Sequence, residues 1–309
     1  MNAGRILVAT GQFAVSADCQ RNADEIIELV QQAAVRGARV VHFCEGALSG
    51  YAPHDLPDYQ DYPWPRLKAA AERVAVAAAA CRLWVVLGSA HPLEPGSSGV
   101  GPKPHNSVYI INDQGQLLDR YDKRFCAGDD VTGELALYSP GDHPSVFVVD
   151  GVRCGVLVCH ECRYPELYRA YKALGVDLVL HSFHAANQGE AELSGIKLEP
   201  ENRAYNWADN LPGVVMPACL VGAAAANHLW LSGANSAAPY ACWGSMQVRA
   251  DGVIVGRLEP GERGLTWMDV DLNAPLYEST RLWRERAQAG QMYSGTLVDS
   301  ERSRARQRF

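Results

Sequence analysis

The sequence predicts an α/β protein built from two mixed β-sheets with helices packed against them. Strand and helix patterns alternate through the first third of the chain, and short turns join several later strands into hairpins. This combination is typical of mixed sheets covered by helices, and about a dozen strands are more than one sheet usually holds. The 309 residues contain no repeat and no linker between two cores, so we predict one domain over 1–309.

The first third supplies the alternating elements. Apolar runs at 5–13 and 39–44 have the length of strands, and the segment between them carries apolar residues at helical spacing. Asn22 and Glu25 are spaced as a capping pair for this helix, and Gly37 is a typical stop. The next predicted elements are an alanine-rich helix over 66–81, a strand over 83–89 and a Gly/Pro/Ser-rich loop over 92–104.

Turn-forming residues define two hairpins in the middle of the chain. The Asp150–Gly151 pair strongly favours a tight turn between two apolar segments. A helix is predicted from about Pro165, with Gly175 as its stop. The hairpin strands are 106–112, 117–123, 146–149 and 153–159, and the later strands are 177–182, 214–222, 244–250, 253–258 and 266–272.

The longest apolar run, residues 213–226, is interpreted as buried strand. Pro217 interrupts it, and it is shorter than the roughly 20 residues that a membrane-spanning helix needs. The N-terminus has no apolar segment of adequate length followed by a cleavage site. Nine cysteines, an odd number in a long chain of this kind, therefore predict reduced thiols in the cytoplasm.

The charge balance narrows the class of ligand. The chain has 28 Lys and Arg against 35 Asp and Glu, a formal net charge of -7 with both signs mixed along the sequence. Such a chain has no global field that attracts nucleic acid or an anionic membrane. We therefore expect a small neutral or polar ligand, with no nucleic acid and no membrane as partner.

Three reactive side chains lie at or just past predicted strand ends, where α/β proteins commonly place their sites. Glu45, Lys123 and Cys159 hold these positions, and Glu134 lies in the loop after Lys123. Taken singly, each has an ordinary explanation as a buried thiol, a loop cap or an exposed charge. Taken jointly, they supply the attacking sulfur, the base and the cation of nucleophilic acyl chemistry.

These residues and their flanking motifs resemble the signature of the nitrilase superfamily of carbon-nitrogen hydrolases. The first two matches are "FCEGALSGY" around Glu45 and "RYDKRF" around Lys123. The segment "GELALYSPGD" resembles the loop that supplies a second glutamate, here Glu134. The third match is the element "CHECRYPE", with Cys159, Glu161, Arg163, Pro165 and Glu166. Together, the similarity covers residues 5 to about 272.

The resemblance implies a four-layer α-β-β-α sandwich with the triad in a pocket at one end. It also implies a homodimer or higher homo-oligomer formed through helices, and neither a metal nor an organic cofactor. We expect residues 275–309 to form a helix or arm used in subunit contacts. The last residues, which carry arginines at alternate positions from 302 to 308, are interpreted as part of that arm or as a solvated tail.

The resemblance also implies roles for the triad. Glu45 takes the thiol proton as Cys159 attacks a carbonyl or nitrile carbon, and Lys123 favours the thiolate. Lys123 and the backbone N–H of His160 hold the oxyanion. Glu134 is expected to position Lys123 or the substrate.

Five further residues receive predicted roles around the triad. Glu161, Arg163 and Glu166 are expected to support the turn that carries the nucleophile, through ion pairing or a helix cap. Tyr51 and His184 are candidate substrate-binding residues. Ordinary packing of Tyr51 and a hydrogen-bonded structural role for His184 remain equally good explanations.

The reaction and two other classes of protein stay open. The element "CHECRYPE" is closer to amidase and carbamoylase versions than to true nitrilases, so hydrolysis of a small amide or N-carbamoyl compound leads, and a nitrile is the alternative. A noncatalytic binding module is a third class, against which the intact triad argues. A zinc or thiol-redox site is the other hypothesis, and its donors would be Cys159, His160, Glu161, Cys162, His181 and His184.

Overall fold

Two six-stranded mixed β-sheets form the centre of the protein. The computed structural model describes residues 4–94, 103–129, 132–187 and 189–307. The strands in chain order are β1 Arg5–Gln12, β2 Val40–His42, β3 Trp84–His91, β4 His105–Ile111, β5 Leu117–Asp122, β6 Val146–Val149, β7 Val152–Val158, β8 Leu178–Ser182, β9 Trp230–Ala234, β10 Met246–Val248, β11 Ile254–Arg257 and β12 Gly264–Asp271. The helices are α1 Cys19–Val35, α2 Trp64–Cys81, α3 Pro165–Ala173, α4 Glu190–Gly195, α5 Pro200–Arg203, α6 Leu211–Asn227, α7 Arg284–Gln288 and α8 Glu301–Arg304.

The sheets and helices stack in four layers, as predicted. One sheet has the order β12-β1-β2-β3-β4-β5 and the other β11-β10-β9-β8-β7-β6, and each has a parallel centre with antiparallel edges. One apolar core joins the facing sides of the sheets and continues under α3 and α6. A second core lies between the first sheet and helices α1 and α2. Both sheets are therefore buried on both faces, which explains their nearly continuous apolar strands.

Helix α1 begins earlier than predicted. Asp18 is its N-cap and accepts a hydrogen bond from the Gln20 N–H. Asn22 is buried inside the helix, and its side-chain oxygen accepts from the backbone N–H of Ser16. The predicted Asn22–Glu25 capping pair is therefore wrong. Gly37, with a positive φ of 82°, does follow the helix end as expected.

The interpretation of 213–226 as a strand is wrong, because these residues lie in α6. Asn210 caps this helix by accepting from the Gly213 N–H at 2.8 Å. Pro217 cannot donate to the Gly213 carbonyl one turn earlier. The indole N–H of Trp207 donates to that carbonyl instead, at 3.1 Å. A contact from the residues just before the helix therefore stabilises a helix that its own sequence does not favour.

Most other predicted elements are confirmed. Both hairpins, the helix that begins at Pro165 and the last three strands are present. The predicted loop over 92–104 falls mostly on 95–102, which lie outside the described residues. No helix among the described residues is long and apolar enough to cross a membrane. Within the described part of 271–307, no residue is buried.

A buried histidine joins the two sheets by polar contacts. The His42 ring is within 2.8 Å of Ser232 Oγ and 2.9 Å of Ser182 Oγ, so its nitrogens bridge β2 to β9 and β8. Burial lowers the pKa of His42 to about 3. The folded state thus holds this ring neutral, whereas the unfolded chain protonates it near its ordinary value of 6.5.

This difference predicts a pH-dependent stability. Because the pKa of His42 is depressed in the folded state, its contribution is complete above pH 6.5 and is lost as the pH falls toward 3. We expect the free energy of unfolding to fall by up to about 1.4 kcal/mol per pH unit from this group. Urea unfolding between pH 7 and 4 should show a shallower dependence in His42→Gln. Parallel curves for the two proteins would contradict the assignment.

Candidate active site

The predicted triad converges at one end of the two sheets. Glu45 follows β2, Lys123 follows β5 and Cys159 follows β7, so the residues come from both sheets. The Glu45 N–H donates to the Phe183 carbonyl at 3.2 Å, which connects the sheets next to the site. Gly88 on β3 lets the Cys44–Glu45 backbone pack closely against that strand, because a Cβ there would lie 2.0 Å from the Cys44 carbonyl oxygen.

Lys123 lies between two glutamates. Its Nζ donates to Glu45 Oε1 at 2.9 Å and to Glu134 Oε1 at 2.6 Å, and all three side chains are buried. Burial alone would lower the pKa of Lys123, but Glu134 and Glu45 raise it well above its ordinary value. The ammonium therefore stays charged in the interior, held by its two carboxylates.

Each glutamate has a further set of donors. Glu45 Oε2 accepts from the His184 backbone N–H at 3.0 Å. Glu134 accepts from the Tyr51 hydroxyl at 2.8 Å and from the backbone N–H of Ala127. Burial raises the pKa of Glu134, but Lys123 and these donors lower it overall, so this carboxylate is ionised. The site is therefore a network of buried charges with fixed orientations.

Asn106 is a site residue that sequence reasoning missed. Its side-chain N–H donates to Glu45 Oε1 at 2.7 Å and lies 3.3 Å from Glu134 Oε1, so it bridges the two carboxylates. Ser107 is paired with Asp122 in the β4–β5 hairpin. Extending this register by one residue places Asn106 opposite Lys123. The register of the predicted hairpin was the signal that could have found it.

Cys159 opens a short 3₁₀ helix, Cys159–Arg163, which we call the Cys159 turn. Its backbone has a positive φ of 47°, a conformation that non-glycine residues rarely adopt and that occurs at functional sites. The His181 ring lies 3.3 Å from the Cys159 carbonyl, and its other nitrogen lies 2.8 Å from the Tyr168 hydroxyl. Burial lowers the pKa of His181 well below its ordinary value. The neutral ring must therefore donate to the carbonyl and accept from Tyr168.

The Cys159 thiol is protonated at rest. It lies beside the Glu45 carboxylate, and the residue is 9% exposed. Burial and the Glu45 carboxylate raise its pKa well above the ordinary value, and the opposing effect of Lys123 is smaller. Lys123 thus acts on the thiol in the expected direction, but burial and Glu45 outweigh it. Attack by this sulfur requires a base, and Glu45 is in position to act as one.

Glu161 is the residue that braces the Cys159 turn. Its buried carboxylate accepts from the Tyr121 hydroxyl at 2.7 Å and from the backbone N–H groups of Val158 and Arg124 at 2.8 Å. Arg163 and Glu166 are exposed, and neither makes a side-chain ion pair with another described residue. The predicted ion pairing of these two is therefore not observed. Glu166 does lie in the first turn of α3, where a carboxylate is favourable.

Glu161 and Glu166 form a matched pair for mutation. Glu161→Gln replaces an acceptor oxygen by an N–H₂ group among buried donors, so we expect a loss of about 1–3 kcal/mol in the free energy of unfolding. Glu166→Gln should change it by less than about 0.5 kcal/mol. Urea unfolding at pH 7 measures both. Equal effects of the two substitutions would contradict the bracing role of Glu161.

The remaining predicted site residues lie around the glutamates. The Tyr51 ring stacks on the His184 ring with centroids 5.0 Å apart, and His184 Nε2 lies 3.1 Å from Asp55 Oδ2. The His160 ring is half-buried, 3.3 Å from the Tyr164 hydroxyl. Its backbone N–H lies in the first turn of the 3₁₀ helix, where N–H groups have no acceptor within the helix.

The donors of the zinc or redox hypothesis do not come together. The Cys162 thiol lies beside the Cys219 thiol on α6, and Glu161 is held by backbone amides. His181 is engaged with Tyr168 and the Cys159 carbonyl. Among the residues that the structure describes, the six predicted donors form no metal-binding group. All nine cysteines are free thiols.

Comparison with known proteins decides the family. The sequence profile described as carbon-nitrogen hydrolase matches residues 7–275. The chain belongs to the carbon-nitrogen hydrolase family. This confirms the resemblance expected from the sequence motifs.

Curated relatives of this carbon-nitrogen hydrolase include amidases and a synthetase. An omega-amidase of Xenopus tropicalis is 28% identical over 176 residues, which are 55% of this chain and 60% of that protein. The human omega-amidase is 25% identical over the same share of each chain. A glutamine-dependent NAD(+) synthetase of Xylella fastidiosa is 34% identical over 182 residues, or 57% of this chain and 31% of the synthetase. The matches thus span at most about three fifths of these relatives.

Solved structures match over nearly the whole chain. An amidase of the nitrilase superfamily from Nesterenkonia superposes with a TM-score of 0.69 at 23% identity, covering 94% of this chain and 97% of that one. A variant of that amidase, with the acetamide moiety of fluoroacetamide on its active-site cysteine, gives a TM-score of 0.70 at 23% identity and the same coverage. These matches show that the four-layer fold is shared.

Proposed function

We propose that this carbon-nitrogen hydrolase cleaves a small amide or N-carbamoyl compound through a thioester on Cys159. The observation that carries the proposal is the buried Cys159 thiol beside the Glu45 carboxylate, which raises the pKa of the thiol and also accepts from Lys123 at 2.9 Å. A nucleophile, a base and a cation are thus within reach of one substrate carbon. Family membership and the amidases among the similar proteins support it.

The first step forms the thioester. Glu45 takes the thiol proton as the Cys159 sulfur attacks the carbonyl carbon, because the thiol is protonated at rest. The carbonyl oxygen becomes an oxyanion, which Lys123 and the His160 N–H would stabilise by about 3–4 kcal/mol per donor. Glu45 then gives its proton to the nitrogen, the carbon-nitrogen bond breaks, and ammonia or an amine leaves.

The second step releases the acyl group. Glu45, again ionised, takes a proton from water as the water oxygen attacks the thioester carbon. Collapse of this intermediate expels the Cys159 sulfur, which recovers its proton from Glu45. The sum is amide plus water giving acid plus ammonia or amine, with no electron transfer. Glu134, Tyr51 and Asn106 would hold Lys123 and Glu45 in these positions.

A substrate panel tests this function. We expect release of ammonia or amine from short-chain amides or N-carbamoyl compounds at least about tenfold faster than from nitriles of the same chain length, since the motif around Cys159 is closer to amidases. Ammonia measured over the panel, with Cys159→Ala as the blank, gives the answer. Faster turnover of nitriles would favour the nitrilase alternative, and no turnover of any member would contradict the proposal.

We also propose a homo-oligomer without a catalytic cofactor, located in the cytoplasm. The described part of 275–307 supports an arm used in subunit contacts, because its exposed side chains include Leu282, Met292 and Leu297. Nine free thiols support a reducing compartment. Light scattering of the full chain and of a chain truncated after residue 274 tests the arm. The same number of subunits per assembly in both proteins would remove the arm from the interface.

A further inference from the structure

Three side chains beside the catalytic network bring metal-binding atoms together. His54, Asp55 and His184 each offer one donor atom, and these atoms lie within 4.8 Å of one another. His54 Nδ1 is 2.8 Å from Asp55 Oδ1, and His184 Nε2 is 3.1 Å from Asp55 Oδ2. None of the three is needed for a step of the proposed hydrolysis.

The His184 ring points to a ligand, because its nitrogens are unsatisfied. Its side chain is completely buried, and neither ring nitrogen makes a hydrogen bond within the described residues. Nε2 is close to the Asp55 carboxylate but lacks the alignment of a hydrogen bond. Buried polar atoms without a partner are rare in proteins. The separation of Nε2 and Oδ2 is compatible with two ligands that share one cation, each at about 2.0–2.2 Å from the ion.

The surroundings orient the other two donors. His54 Nε2 lies 3.0 Å from the Asn187 carbonyl, to which it donates, and this contact turns Nδ1 toward Asp55. Histidine ligands of metals commonly donate their second N–H in this way. The Tyr51 N–H donates to Asp55 Oδ2 at 2.9 Å, which fixes the carboxylate.

We propose that His54, Asp55 and His184 form a binding site for a divalent transition-metal ion such as Zn²⁺ or Co²⁺. Two imidazoles and one carboxylate are a donor set that these ions accept. A ligating imidazole nitrogen must carry no proton, so the affinity falls at acidic pH. This site goes beyond the proposed hydrolysis, and its test needs no turnover.

Cobalt and zinc binding to the full chain test the site. Metal-free protein is titrated with Co²⁺ at pH 7.5, and retained Zn²⁺ is counted after dialysis. We expect one equivalent of each, with visible cobalt bands and without the thiolate-to-cobalt charge-transfer band that a cysteine ligand would add. His54→Gln and Asp55→Asn should weaken the affinity at least about tenfold. Thermal unfolding of both variants confirms that they are folded.

The matched control is His143→Gln. His143 also lies beside an aspartate, 3.4 Å from Asp142, but its side chain is 44% exposed and it is outside the three-residue group. This variant should bind metal as the parent does. Equal affinity of all four proteins, a thiolate charge-transfer band, or no binding by the parent would overturn the proposal. The last result would identify the cluster as an aspartate paired with two histidines.

Discussion

Replacing Cys159 by alanine is expected to abolish release of ammonia or amine from every substrate, by a factor of about 10³ or more. The substitution removes the sulfur that forms the thioester, and the contacts of the Cys159 backbone do not require the side chain. Initial rates on the best substrate of the panel measure the effect, and circular dichroism checks that the variant is folded.

Cys162→Ala is the matched control. Cys162 is a buried thiol three residues away in the same turn, beside Cys219 rather than Glu45. We expect this variant to keep its rate within about tenfold, since the loss is limited to packing. Retained turnover in Cys159→Ala, or an equal loss in Cys162→Ala, would contradict the role of Cys159 as the nucleophile.

Lys123→Met is expected to have the largest effect on stability. It removes the cation between Glu45 and Glu134 and leaves two buried carboxylates close together without a positive partner. Breaking a buried pair in this way costs about 3–5 kcal/mol. Hydrolysis should also fall below detection. Protonation of a carboxylate relieves the repulsion, so the deficit in unfolding free energy should shrink as the pH falls from 7 to 5.

Lys172→Met is the comparison for the loss of Lys123. Lys172 donates to the His228 carbonyl at 3.0 Å, and no described carboxylate forms an ion pair with it. Its loss should cost no more than about 1.5 kcal/mol, with little dependence on pH. Urea unfolding of both variants at pH 7 and 5 measures the difference. Similar costs for Lys123→Met and Lys172→Met would contradict the buried charge network.

The sequence predicts the triad because strand ends and local motifs are properties of the chain itself. Cys159 and Lys123 each follow an apolar segment whose length and turn are readable. The distance between them depends on two sheets facing each other, and only the family resemblance implied that arrangement. The sequence predicts that Glu161 supports the turn. Two of its partners come from β5 and the segment after it, and periodicity cannot place these beside the Cys159 turn.

The prediction of a strand in place of helix α6 fails for a different reason. Its apolar residues occupy most of the helix circumference, so no helical period stands out from the background. Pro217 argues against a helix, and the side-chain contact of Trp207 that compensates for it is not part of the apolar pattern. The group of His54, Asp55 and His184 could not be predicted from the sequence either, because His184 lies 129 positions after Asp55 and the two meet only in the folded protein. Contacts of this kind complete a site, and local sequence patterns do not predict them.

Labelling by fluoroacetamide is the most direct measurement of the central claim that Cys159 is the nucleophile. A thiolate sulfur displaces fluoride, so one acetamide group remains bonded to the reacting cysteine. Peptide mass spectrometry at limiting reagent should place the label on Cys159 in preference to the other eight cysteines, in proportion to the activity lost. A label on a different cysteine, or inactivation while Cys159 stays unmodified, would contradict the account.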